Sequence, residues 1–433
     1  IVYLNPQCVK RHDMFLINKL GFIRIYRGWY IVGVLFLSTA IYVGASQYAF
    51  GLFIEPLEEQ FGWSRTQITA SLSFTAVGAL ASPILGRMMD NYGARPVLSI
   101  SLFLVAISFL LRPLMTELWH WYALSAIQFI GMSGGTSLPI GRLVGLWFRK
   151  TRGRVFGITS MGNNFGGLVI PPLITSILFI ASWETAYVLL GLVSLTIMVI
   201  AFISIKEHPE RYHVGIRNDS FTTLNHDNSV EYSDTDWEVS KALQSKTFYA
   251  ITAVILMGSF TYSTILPQII VHLRVEGISM RDASLALSLL AILGMTGKLV
   301  FGYAAEIIGS RYALIICLLG QSLFSVLMLK SSNPLIMWTT VPLYGLCMGA
   351  FGALSPLIVQ ENFGVKYFGS IMGLISLATI IPYVSGPLIA GVSYDLTGNY
   401  NTAFIVVSVL FLTASFILML SATPSESKLS KAN

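Results

Sequence analysis

The chain has 433 residues, of which 54% are hydrophobic and only 11% are charged. Soluble domains carry about a quarter charged residues, so this composition argues against an ordinary soluble fold. The net charge of +6 comes from basic residues scattered through short loops, which excludes a clustered nucleic-acid-binding face. Three cysteines, Cys8, Cys317 and Cys347, share no metal-ligand spacing and predict no disulfide framework. We therefore expect a membrane protein without a metal or a cofactor.

Apolar runs of about 20 residues follow one another along the chain, each long enough to cross the hydrocarbon core of a bilayer. Twelve are predicted, near 29–53, 67–86, 96–115, 121–147, 154–180, 184–205, 248–272, 283–304, 312–330, 334–360, 367–393 and 401–421. The fold class is therefore all-α, a polytopic membrane protein with two pseudo-equivalent six-helix bundles at 29–205 and 247–421. A polar linker at 206–246 joins the bundles, and tails at 1–28 and 422–433 flank them.

The distribution of Lys and Arg predicts the orientation, because cytoplasmic loops are enriched in both. Of the 27 such residues, 20 lie in the tails, the linker and the loops on the same side. The loops on the other side carry five, namely Arg65, Arg112, Arg274, Arg281 and Lys330. The sequence thus predicts a multi-pass protein of the cell membrane (plasma or inner) with a cytoplasmic linker and both termini cytoplasmic.

A short charged loop occurs twice, after the second and the eighth predicted spans. The repeated positions are Gly86, Asp90, Gly93 and Arg95 in the first copy and Gly302, Glu306, Gly309 and Arg311 in the second, each pair 216 residues apart. The same offset relates Gly153 to Gly369 and Pro171 to Pro387 without a gap. A repeat that keeps one register over five spans indicates an internal duplication.

This loop resembles the Gly-x-x-x-Asp-x-x-Gly-x-Arg signature of the major facilitator superfamily. The resemblance covers roughly residues 28–421 and implies two bundles that rock around a central site. In that family the loop latches the bundles together on the cytoplasmic side in the outward-open state. The implied latch role falls on the eight repeated residues, above all on Asp90, Arg95, Glu306 and Arg311.

Three further motifs resemble those of the monocarboxylate transporters and the related oxalate/formate antiporters. They are Gly28-Trp29 at the first span, Trp147-Phe148-Arg149-Lys150-Thr151-Arg152 before the fifth, and Gly386-Pro387 through Gly391, Asp395, Gly398 and Tyr400 at the eleventh. The resemblance implies a small organic anion as substrate. The chain departs from the transporters at Gln47 and Gly294, where many of them place a lysine and an aspartate. Proton coupling is therefore in doubt.

Two basic residues fall inside predicted spans, where a charge is costly and is a functional hypothesis by default. Lys298 is predicted about six residues from the cytoplasmic end of the eighth span, and it is the candidate counter-charge for a carboxylate. Arg142 in the fourth span is a candidate for the cavity and equally for pairing near the inner face. Polar residues that could complete a central pocket are Gln47, Tyr48, Asn163, Asn164, Tyr262 and Gln268.

The prediction is a secondary active transporter that moves a small, singly charged organic anion by alternating access, as a monomer, with a proton or a counter-anion as possible partner. An exporter of other small solutes or drugs is an alternative, although Lys298 and Arg142 argue against cationic substrates. A transporter-like sensor is another alternative, although the 206–246 linker is too short and polar to suggest a signalling domain. A membrane enzyme is disfavoured, because the His-Glu-x-x-His motif is absent and the six histidines lie in tails, loops or span ends.

Overall fold

The computed structural model describes residues 16–17, 23–24, 27–148, 151–207 and 237–421. Almost all of these residues are helical, and the all-α fold class predicted from the sequence is confirmed. A short antiparallel ladder near the N-terminus pairs β1 (Leu16–Ile17) with β2 (Ile23–Arg24). Most of the predicted linker and the tail at 422–433 lie outside the described residues.

The first half contains six spans, numbered here in chain order. They are span 1 (Arg27–Tyr48), span 2 (Gln67–Tyr92), span 3 (Ala94–Leu114), span 4 (Leu118–Gly135 and Ser137–Trp147), span 5 (Arg152–Ile180) and span 6 (Trp183–Ser204). A short helix, Ile54–Phe61, follows span 1. Spans 2 and 5 extend beyond their predicted ends, because their helices continue into the turns that carry the charged residues.

The second half repeats this arrangement. It contains span 7 (Lys246–Val275), span 8 (Met280–Ile308), span 9 (Ser310–Lys330), span 10 (Pro334–Phe363), span 11 (Phe368–Thr397) and span 12 (Asn401–Leu420). A five-residue helix, Val239–Leu243, precedes span 7 and lies where the sequence predicts a short surface helix.

Eleven of the twelve predicted spans appear, in the described part of the chain, as helices long and apolar enough to cross a membrane. Span 4 is the exception, because Thr136 interrupts it with φ −109° and ψ −103°, outside the helical region. The break falls inside the run of small residues that precedes Pro139, a proline which cannot donate a backbone hydrogen bond to the preceding turn. The second piece of span 4 therefore leaves the bundle axis of the first.

Two spans contain a π-helical segment, at nearly equivalent places in the two halves. One is Gly44–Tyr48 in span 1, and the other is Thr261–Ile265 in span 7, one residue beyond the 216-residue offset. Such segments widen a helix locally and are frequent at functional sites. Periodicity alone did not reveal them, because one extra residue per turn leaves an apolar run unchanged.

Glycines let the two halves approach at one end of the molecule. A Cβ added to Gly86 in span 2 would collide with the backbone of Gly369 in span 11, and one added to Gly302 in span 8 would collide with the backbone of Gly153 in span 5. These two contacts are related by the 216-residue offset. The internal duplication is thus visible in the packing as well as in the sequence.

Candidate functional site

The two halves meet through charged side chains at the end of the bundle that carries Asp90 and Glu306, here called the charged end. The backbone N–H groups of Gly369 and Ser370 donate to the Asp90 carboxylate at 2.9 and 2.6 Å. These residues form the first turn of span 11, where unpaired N–H groups and the helix dipole favour an anion. Asp90 of the first half therefore caps a helix of the second half.

Glu306 makes the equivalent contact in the opposite direction. The backbone N–H of Arg154, in the first turn of span 5, donates to Glu306 at 2.9 Å, and the Arg154 guanidinium donates to the same carboxylate at 2.8 Å. Arg154 and Ser370 are again 216 residues apart. The repeated acids thus act on helix N-termini and not on the arginines of their own loops.

Arg142 lies in the same charged cluster. Its guanidinium donates to Glu207 at 2.9 Å, to Asp90 at 3.2 Å and to the Lys366 carbonyl oxygen at 3.4 Å. Glu207 also accepts the backbone N–H of Ala94 at the start of span 3. Of the two roles considered for Arg142, the geometry supports pairing near the helix ends, away from the middle of the spans.

The arginines of the repeated loops contact the last spans of their own halves. Arg95 stacks on Phe202 at the end of span 6, with 4.1 Å between the guanidinium carbon and the ring centre. Arg311 donates to the carbonyl oxygens of Leu418 and Met419 at 3.0 and 2.9 Å, at the C-terminus of span 12. A cation is favourable there, because the helix dipole is negative at that end. Gly93 and Gly309, with φ of +96° and +85°, form the turns that allow these approaches.

Lys298 lies deep in the bundle and is only 3% exposed. It precedes the end of span 8 at Ile308 by 10 residues, roughly 15 Å at 1.5 Å per residue. This depth exceeds the six residues expected from the sequence, because span 8 continues to Ile308. Half of a hydrocarbon core is about 15 Å, so Lys298 lies near the middle of its span.

The Lys298 ammonium group bridges the two halves. Its Nζ donates to the Ser160 carbonyl oxygen and to Asn164 Oδ1, both at 2.6 Å and both on span 5. The Asn164 amide donates in turn to the Ala291 carbonyl oxygen on span 8 at 3.1 Å. Among the described residues every hydrogen-bond partner of Lys298 is neutral, so no carboxylate compensates its charge.

The position equivalent to Lys298 in the first half is Ser82. A Cβ on Gly157 would meet the Lys298 carbonyl oxygen, and a Cβ on Gly373 would meet the Ser82 carbonyl oxygen, so the backbones pack alike. The Ser82 hydroxyl bonds the Gly78 carbonyl oxygen of its own helix. The pseudo-symmetry of the backbone is thus broken by a single cation on the span 8 side.

The other predicted pocket residues lie apart from Lys298. Asn163 is half-buried, with no hydrogen-bond partner for its Oδ1 among the described residues. Gln47 and Tyr48 are exposed in the π-helical segment of span 1, about 20 residues from the charged end. Tyr262 donates to the Met348 carbonyl oxygen at 3.3 Å, and Gln268 is half-buried farther along span 7. The structure therefore brings Lys298 and Asn164 together and places the remaining four nearer the far end.

Several residues of these contacts were missed by the sequence reasoning. Arg154 and Glu207 were treated as ordinary loop charges, although the 216-residue offset between Arg154 and Ser370 could have revealed that both follow paired glycines. Ser160 contributes a backbone carbonyl oxygen, and no side-chain pattern reports such a contact.

Comparison with known proteins follows from this geometry. A family model described as the Major Facilitator Superfamily matches residues 35–275 and 248–433. Monocarboxylate transporter 12 of Homo sapiens is 23% identical over 90% of this chain and 80% of its own length. The probable galactarate/D-glucarate transporter GudP of Bacillus subtilis (strain 168) is 22% identical over 92% of each chain. The solved proton:xylose symporter XylE superposes with a TM-score of 0.72 at 13% identity, over 91% of this chain and 95% of its own, which is a likeness of fold.

Proposed function

This chain belongs to the Major Facilitator Superfamily, and from that membership we propose that it moves a small organic anion of the monocarboxylate type by alternating access. It is a membrane transporter and not an enzyme. The proposal concerns the substrate class, the counter-charge and the mechanism. The similarity to Monocarboxylate transporter 12 supports the substrate class.

The observation that carries the proposal is the uncompensated charge of Lys298. An ammonium group taken out of water is strongly disfavoured unless an anion or good acceptors satisfy it. Two neutral oxygens satisfy its hydrogen bonds here without neutralising its charge. A carboxylate offers the same acceptor geometry together with the opposite charge, and charge-assisted hydrogen bonds are roughly twice as strong as neutral ones. A substrate carboxylate would therefore displace Asn164 from Lys298.

The same contacts suggest how binding is linked to movement. Lys298 on span 8 holds span 5 of the other half through Asn164 and Ser160, so displacement of these oxygens loosens a contact between the halves. Asp90 and Glu306 form the latch at the charged end, which we infer to be cytoplasmic from the distribution of Lys and Arg. In the described conformation the halves are closed at that end, as the outward-open state of the family requires. Transport needs both capped helix N-termini to separate.

The coupling of transport follows from the neutral surroundings of Lys298. An empty carrier would have to reorient a buried, uncompensated cation, which is costly in low dielectric. A bound anion removes this cost in both directions. We therefore favour exchange of one anion for another over proton symport, with a hydroxylated sugar acid as the second candidate substrate because of the similarity to GudP.

Uptake of labelled lactate, pyruvate, formate and glucarate into proteoliposomes tests this proposal. We expect uptake of at least one monocarboxylate, stimulated about tenfold by the same anion preloaded inside and changed little by an imposed pH gradient. Glucarate uptake alone would move the substrate class to sugar acids. Uptake that requires a pH gradient and is indifferent to preloading would contradict exchange, and uptake of none of the anions would contradict the anion assignment.

A further inference from the structure

Arg112 is a buried cation that the substrate site does not use. The sequence places it in an outer loop, and this expectation is wrong, because the side chain is only 3% exposed. It follows span 3 at the end of the molecule opposite the charged end. Aromatic rings of spans 4 and 6 enclose it, with its guanidinium carbon 4.3 Å from the ring centre of Trp121 and 4.5 Å from that of Tyr187. Such faces attract a guanidinium electrostatically.

A chain of hydrogen bonds runs from Arg112 to span 1. The guanidinium donates to Gln128 Oε1 on span 4, and the Gln128 amide Nε2 donates to the Ser46 hydroxyl at 2.6 Å. Gln128 and Ser46 are 3% and 2% exposed. Because the Arg112 cation can only donate, it fixes which end of the Gln128 amide faces Ser46. The orientation of each member is thus determined by the one before it.

Ser46 lies inside the π-helical segment Gly44–Tyr48. The opposite side of this segment is held by span 5, since a Cβ on Gly44 would collide with the backbone of Gly166. The segment is therefore clamped between span 4 and span 5. The next two residues, Gln47 and Tyr48, are exposed. Rotation of the segment about the helix axis would move both side chains away from their present direction.

We propose that Arg112 is a positioning residue of the substrate site, which acts through Gln128 and Ser46 to fix the π-helical segment of span 1 and the direction of Gln47 and Tyr48. The inference rests on the proposed function for the part played by substrate. The clamp itself depends only on contacts within the first half. Arg112 touches no substrate and supplies no charge to it directly.

The experiment substitutes the far end of the chain of hydrogen bonds, because loss of Arg112 itself would leave the aromatic cage empty and endanger folding. Ser46→Ala and Gln128→Leu are compared with Ser38→Ala. Ser38 lies in the same span, is equally buried, and its hydroxyl bonds only the Val34 carbonyl oxygen of its own helix. We expect Ser46→Ala to raise the KM of the transported anion about fivefold, the equivalent of one neutral hydrogen bond, with kcat little changed. Ser38→Ala should leave both constants unchanged.

The double variant Ser46→Ala/Gln128→Leu should raise the KM no further than Gln128→Leu alone, because both substitutions break one chain. A fall in kcat with unchanged KM, or additive effects of the two substitutions, would overturn the proposal. So would equal effects of Ser46→Ala and Ser38→Ala.

A second readout needs no substrate. Gln47→Cys is labelled with a hydrophilic thiol reagent in the detergent-solubilised full chain, and the chain without this substitution is the blank. Adding Gln128→Leu should change the labelling rate at least about threefold, and adding Ser38→Ala should not. An unchanged rate with Gln128→Leu overturns the clamp even if an anion is transported. If the rate changes while no tested anion is transported, the clamp stands and the proposed substrate class fails.

Discussion

At the scale of single residues, the neighbours of Arg142 and Arg154 show why similar ion pairs differ in weight. Arg142 pairs with Asp90, whose side chain is 3% exposed, whereas Arg154 is 49% exposed where it pairs with Glu306. Solvent-exposed pairs contribute about 0–1 kcal/mol, while removal of one partner from a buried pair costs several times more. The latch is thus electrostatically stronger on the Asp90 side than on the Glu306 side.

Arg142→Gln tests whether this arginine belongs to the charged end or to the substrate site. We expect a loss of about 2 kcal/mol in the free energy of unfolding, since Asp90 and Glu207 lose their cation. Arg154→Gln, the matched control, should cost less than about 1 kcal/mol because it is exposed. Thermal denaturation in detergent and equilibrium binding of the anion are the measurements. A tenfold rise in Kd with unchanged stability would instead place Arg142 at the substrate.

At the scale of elements, spans 2 and 11 and spans 5 and 8 approach so closely that only glycine fits at each crossing. Gly86 faces Gly369, and Gly153 faces Gly302. Backbone contact at these crossings brings the helix N-termini within reach of Asp90 and Glu306. The glycines of the repeated loops therefore serve the latch by permitting the approach, in addition to forming turns.

Gly86→Ala should disturb the closure of the charged end, because its Cβ would overlap the Gly369 carbonyl oxygen. Overpacking of this kind costs about 1–3 kcal/mol, which shifts a conformational equilibrium roughly fivefold to a hundredfold. Gly33→Ala in span 1 is the matched control, since nothing lies within 4 Å of its added Cβ. Transport at saturating substrate should fall about tenfold for Gly86→Ala and stay within twofold for Gly33→Ala. Equal rates for the two variants would show that the close approach is not needed.

At the scale of the whole molecule, two similar halves enclose one cation near mid-depth. The apolar runs and the 216-residue repeat sufficed to predict the all-α duplicated fold, since both depend on periodicity that any window of the sequence displays. Lys298 could be singled out because a lysine inside an apolar run is rare. Its partner oxygen on Ser160, the break at Thr136 and the two π-helical segments could not be predicted, because each depends on backbone geometry fixed by packing. The enclosure of Arg112 by aromatic rings likewise needs three spans that are distant in sequence.

The orientation of the molecule remains a prediction and can be measured directly. Asn91→Cys lies at the charged end and Ser332→Cys lies between spans 9 and 10 at the far end, and both positions are exposed. A membrane-impermeant thiol reagent added to intact cells should label Ser332→Cys and leave Asn91→Cys unmodified until the cells are opened. The chain without an added cysteine is the blank. The reverse pattern would place the charged end and the linker outside the cell.

The central claim is that Lys298 holds the substrate anion, and binding of the transported anion to purified protein tests it most directly. Lys298→Met retains much of the apolar stem and removes the charge. Lys330→Met, an exposed lysine at the far end of span 9, is the matched control. Removal of the cation from a buried ion pair costs at least about 3 kcal/mol, or on the order of 100-fold in affinity. We predict a rise in Kd of this size for Lys298→Met with no change for Lys330→Met, and an unchanged Kd for Lys298→Met in a folded protein would contradict the account.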